Sequence, residues 1–196
     1  NSFAISFMQG IAWALFGAVL SFGSGIAEER QRGTLVRLLV SPMSPNQILF
    51  GKALACFVTC LATEWMLVFF GMFLFRVEVS HWPVMVVVTL VTAFGFSGIM
   101  MLLAAGFRTQ GGAQGAGRAV LLVLAMIGGG TVPIVFMPPF LRVASNLSPF
   151  KWAVMAAEGA TWRSWGMSEM LLPLAVLTAI GVFGLTVGTA LVRRSI

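Results

Sequence analysis

Residues 28–52 read EERQRGTLVRLLVSPMSPNQILFGK. Glu28, Glu29, Arg30, Arg32, Arg37 and Lys52 gather in this stretch with Pro42, Pro45 and a Ser-Pro-Asn-Gln turn. Long apolar runs stand on both sides: Phe3–Ile26 has no charged residue, and Ile48–Phe75 carries only Lys52 and Glu64. The fold turns on why so much polar chemistry sits between two such runs.

Composition supplies the frame. Hydrophobic residues make up 59% of the 196 positions and charged residues 9%, with a mean hydropathy of +0.97. A water-soluble domain of this size carries far more charge, so the chain reads as an all-α integral membrane protein forming one transmembrane domain over residues 1–196. The net charge of +6 resembles a nucleic-acid signal at first. In a membrane chain it records basic loops beside anionic lipid, so lipid is the expected partner and nucleic acid is not.

A helix needs about 20 apolar residues to cross the hydrocarbon core. Five stretches meet this, at about 3–26, 48–75, 84–107, 119–137 and 171–192. The fourth is the weakest, because Gly128, Gly129, Gly130 and Pro133 loosen a helix there and Pro138-Pro139 follow. Residues 131–165 are therefore expected as an interrupted external segment of two short re-entrant or interfacial helices. Trp152, Trp162 and Trp165 would then sit at the headgroup level.

Arg30, Arg32, Arg37 and Lys52 lie in or beside the 27–47 loop, Arg108 and Arg118 in the 108–118 loop, and Arg193 and Arg194 at the end. The positive-inside rule puts these three regions in the cytoplasm, which leaves Asn1 outside. An outside N-terminus without a signal peptide predicts that a span precedes this sequence. Gly17, Ser21 and Gly25, and Gly184 and Gly188, repeat at four-residue spacing, a pattern that lets helices approach closely.

In the cytoplasm, residues 28–32 continue the first span into water and Gly33 breaks its direction. Thr34 is placed to cap a short helix, Leu35–Val40, whose Leu35, Leu38 and Leu39 share one apolar face. Pro42 stops it, and Ser44 to Gln47 form a capping box that starts the second span. Two readings fit such a helix: one that lies on the membrane surface, and a knob for the groove of another protein.

Here the sequence resembles type-2 ABC exporter permeases. Their first cytoplasmic loop runs Glu-Arg-x-x-Gly-Thr-Leu-x-x-Leu, then a Ser-Pro turn and Gly-Lys. The run GGGTVPIVFMPPFLRVASNLSPFKW at 128–152 is similar to the same family's segment after the fifth span. The resemblance implies six spans per subunit, a second permease subunit in a homo- or heterodimer, and a separate ABC ATPase subunit. It implies a bacterial inner-membrane location with a cytoplasmic C-terminus. It also makes 28–40 the coupling helix region: Gly33, Thr34, Leu35, Leu38 and Leu39 match the motif, Glu28, Glu29, Arg30 and Arg32 its charged lead-in, and Gly51 and Lys52 its close.

A phosphate-binding loop, Gly-x-x-x-x-Gly-Lys-Ser/Thr, is missing: Ala53 follows Gly51-Lys52 and Asn46 stands where the first Gly belongs. The chain is therefore expected to be a transport subunit rather than an enzyme, with no cofactor of its own; ATP and Mg belong to the partner. The glycine-rich run at 111–117 reads as a flexible cytoplasmic turn. Cys56 and Cys60 stack on one helix face as packing residues or a metal pair, but with one His and no further Cys no metal site is expected. Glu64 is costly within a span; it either hydrogen-bonds within the bundle or belongs to the substrate path, binding a cation or carrying a proton. The alternative to an exporter is a passive channel or membrane scaffold.

Overall fold

The computed structural model describes residues 2–34, 44–77, 79–107, 109–163 and 165–194. Among them no strand occurs, and five helices are long and apolar enough to cross a membrane. We number the helices α1 (Ser2–Gln31), α2 (Pro45–Phe75), α3 (Trp82–Gly106), α4 (Gln110–Gly130), α5 (Pro139–Ala144), α6 (Pro149–Ala160) and α7 (Met167–Arg194).

Helix α1 carries its last turns beyond the apolar run to Gln31, so the charged residues extend the span as expected. Helix α2 starts at a complete capping box. The Gln47 amide donates to Ser44 Oγ at 3.3 Å and the Ser44 amide to Gln47 Oε1 at 2.8 Å, with Pro45 in the first turn where its missing N–H costs nothing.

α3 is the central helix, and its closest partner is α7. Lipid gives helices no hydrophobic reason to associate, so close backbone packing has to hold them. A Cβ added at Gly98 would lie 2.7 Å from the Gly181 carbonyl oxygen, one at Gly184 2.4 Å from the Gly98 carbonyl carbon, and one at Gly188 2.7 Å from that of Met101. Gly184 and Gly188 thus do what their spacing suggests. Gly17 and Gly25 do not serve the same purpose within this chain, since a Cβ on either meets nothing within 4 Å.

The fourth span departs from the sequence expectation. It begins at Gln110 and ends at Gly130, whereas hydropathy puts it at 119–137, and the 111–117 run is helical rather than a flexible turn. Thr109 caps it, accepting from the Gly112 amide at 3.1 Å. Two of these glycines serve proximity: a Cβ at Gly117 would stand 2.7 Å from Leu103 Cδ1, and one at Gly112 3.0 Å from Thr109 Oγ1, whereas one at Gly111 or Gly115 would meet nothing within 4 Å. The turn at Ala113–Gly117 is wide, with the Arg118 amide reaching the carbonyl of Ala113.

The expected break occurs at the triple glycine. Gly129 has φ +93°, a conformation glycine adopts without steric cost. The orphaned carbonyls are met from α1: Gln9 Nε2 donates to Gly129 O at 3.0 Å and Trp13 Nε1 to Gly130 O at 2.8 Å. Two short helices follow, as predicted for 131–165. α6 is almost wholly buried; its Phe150 meets Phe96 of α3 edge to face at 5.0 Å.

Candidate functional site

Residues 28–34 and 44–52 form the root of the loop between α1 and α2, and their charged side chains knit three helices together. Lys52 Nζ of α2 lies 2.7 Å from both carboxylate oxygens of Glu29 on α1. Glu28 is shared: Arg32 Nη2 approaches one oxygen at 2.6 Å and Gln110 Nε2 of α4 donates to the other at 2.8 Å. Gln31 Oε1 accepts from the Gln110 amide at 3.1 Å. Arg30 Nη1 donates to the Phe107 carbonyl at 3.4 Å, just beyond α3.

One helical turn deeper, Gln114 Nε2 donates to Ser24 Oγ at 2.9 Å. The end of α1 is thus tied to the starts of α2 and α4. Gly33 turns the chain away at φ +69°, a left-handed conformation that a side chain would strain. Thr34 Oγ1 donates back to the Glu29 carbonyl at 3.1 Å, closing α1.

A 470 Å³ cleft opens between α1 and α2 at this root, lined by Ser21, Gly25, Glu29, Gly51 and Lys52 among others. Gly51 leaves space rather than filling it, since nothing lies within 4 Å of a Cβ built there. The matched positions Glu28, Glu29, Arg30, Arg32, Gly33, Thr34, Gly51 and Lys52 are therefore brought together. Leu35, Leu38 and Leu39 lie outside the described residues, as do Arg37 and Pro42. Sequence reasoning missed Gln110 and Gln114: they are 82 and 90 residues from their partners and belong to no motif.

Glu64 is 2% exposed on α2. It shares the buried face of Cys56 and Cys60 and lines neither the 470 Å³ cleft nor the larger cavity of 810 Å³. Its Oε2 has no hydrogen-bond partner among the described residues. Among those residues no three His, Cys, Asp or Glu side chains gather as metal ligands.

At the opposite end of the bundle, Arg163 Nε holds Glu158 Oε2 at 2.9 Å while its guanidinium lies over the rings of Trp162 and Trp165. Burial raises the Glu158 carboxyl above its usual range, and Arg163 works against that shift. Lys151 Nζ donates to Asn146 Oδ1 at 2.6 Å; burial, then the nearby charge of Arg142, pushes its amine down.

Five helices long and apolar enough to span, with a charged root shared by three helices, mark a multi-pass membrane protein. Residues 3–162 match the model of the ABC-2 type transporter family, and the chain belongs to that family. It is 25% identical over 174 residues to a protein of Porphyra purpurea described as "Putative transport permease ycf38". That similarity covers 84% of this chain and 58% of the relative, so the chain spans somewhat over half of the relative's length. No solved structure matches it.

Proposed function

We propose that this chain is the transmembrane subunit of an ATP-driven exporter in the bacterial inner membrane. In this reading the 28–40 loop seats on a separate ABC ATPase subunit. That subunit binds ATP and Mg, and the permease chain contributes no cofactor site. The observation that carries the reading is the charged root of the loop. Glu29–Lys52 ties it to α2 and Glu28–Gln110 ties it to α4, so a push on the loop moves three helices together.

A loop that merely rested on lipid would have no need of such ties, and this favours coupling over a passive channel or scaffold. Leu35, Leu38 and Leu39 supply the apolar contact with the ATPase. Gly33 and Pro42 bound the segment that the ATPase displaces. The basic ends of α1 and α7 face the cytoplasm and Asn1 the outside.

A second permease subunit, identical or related, completes the path. Gly17, Ser21 and Gly25 suit that contact, since a Cβ at Gly17 or Gly25 meets nothing within this chain and the last two positions open into the α1–α2 cleft. Glu64 belongs to the path in this reading, turning into it when the subunits move.

The test uses the full subunit co-expressed with its ATPase. Leu38→Asp puts a charge into the apolar contact, and Gly33→Pro blocks the positive φ. Both variants are expected to lose most ATPase co-purification and at least tenfold of ATP-dependent vesicle transport. Unchanged binding and transport in both would overturn the assignment.

A further inference from the structure

We propose that the cleft between α2 and α7 is a binding site for an anionic phospholipid. The cavity measures about 810 Å³ and is open to the outside of the bundle. Phe50, Leu54 and Phe57 of α2 form one wall, Leu185 of α7 the other, and Phe94 of α3 the floor. Arg193 and Arg194 line it at the end where Asn46 begins α2.

Two of the wall's hydroxyls are satisfied within their own helices. Thr186 Oγ1 donates to its own helix at Val182 O, 2.7 Å, and Ser97 Oγ to Ala93 O at 2.7 Å. Hydrocarbon suits such walls better than water or a polar solute does. Asn46 and Phe57 lie about 16 Å apart along the helix, close to one leaflet's half of the ~30 Å hydrocarbon core. An acyl chain entering beside the arginines would run the length of the cleft without leaving its leaflet.

The arginines supply the charge preference. The sequence holds six Glu and no Asp. Glu28, Glu29 and Glu158 are engaged by Arg32, Lys52 and Arg163. Glu169 accepts from the Gly166 amide, Glu64 is buried within α2, and Glu78 lies outside the described residues. Among the described residues no carboxylate pairs with Arg193 or Arg194, and both are exposed. A basic pair at the membrane-water boundary, above an apolar slot between helices, matches a phosphate headgroup joined to an acyl tail.

The test is native mass spectrometry of the full subunit, with its partners, from mixed phosphatidylglycerol and phosphatidylcholine. Phosphatidylglycerol is expected to be retained about tenfold over phosphatidylcholine. Arg193→Gln with Arg194→Gln, at exposed positions that leave the packing intact, should abolish that preference. Ala190→Trp should fill the slot and reduce retention of both lipids.

A photo-reactive residue in place of Leu54 should label lipid. Glycerol phosphate, a headgroup without tails, should not displace the bound lipid. Equal retention of the two lipids by the unaltered protein would overturn the proposal, as would an unchanged preference in the arginine variant. Displacement by glycerol phosphate would also overturn it. So would labelling of a second copy, or of another part of the protein, from position 54.

Discussion

At position 158 a carboxyl is held between burial, which raises its proton affinity, and Arg163, which lowers it; burial wins. In the unfolded chain Glu158 ionises near its ordinary value of 4.5, and in the folded chain only at higher pH. Between the two the folded state holds the extra proton. The stability this confers is complete below the unfolded value and is lost as pH rises through the folded one. Thermal unfolding of the reconstituted protein should therefore show a midpoint that falls as pH climbs from 4.5, with a shallower fall in Glu158→Gln. An identical slope in the variant would contradict this. At the triple glycine, Gln9→Ala and Trp13→Phe each remove a donor from a helix-end carbonyl, at a cost of roughly 0.5–1.5 kcal/mol. Hydrogen exchange across 126–137 should accelerate in both, and unchanged exchange would show that these bonds do not hold the break.

Among the helices, the glycine contact between α3 and α7 governs stability. Gly184→Leu would force the two backbones apart, costing about 1–3 kcal/mol or more. Gly17→Ala should stay within about 0.5 kcal/mol, because nothing lies within 4 Å of the added carbon. Denaturation in mixed micelles compares the two directly, and equal losses would contradict the packing described. Most spans are legible from hydropathy, and the α2 start from four residues, because capping is local chemistry. The start of α4 is not. Gly111, Gly112, Gly115 and Gly117 read as a turn in isolation, and the use of Gly117 becomes visible only once Leu103 and Phe107 lie against it. The candidate site divides the same way: Glu28, Glu29 and Lys52 announce themselves as charges between apolar runs, whereas Gln110 is an ordinary polar residue until the fold brings it to Glu28.

Taken whole, the molecule has two unlike ends. One holds the loop root with Gln110, and has Arg193 and Arg194 of α7 around one cavity with Asn46; the other joins the broken end of α4 to Gln9 and Trp13, and the end of α6 to Ser80, whose hydroxyl donates to the Thr161 carbonyl. In the proposed mechanism force enters at the first end, through a loop whose charges fix it to α2 and α4, and the helices carry it to the second. The ion pair is half-buried and still screened by solvent on its open side, so its contribution to folding is small, about 0–1 kcal/mol. In the proposed mechanism its value lies in holding α1 and α2 in register under load. ATP-dependent transport into vesicles, with the full subunit and its ATPase, therefore tests the account most directly in Glu29→Lys, Lys52→Glu and the double exchange. The account predicts that each single variant still binds the ATPase but loses most transport, and that the double exchange restores it. Single variants transporting at the unaltered rate would contradict it.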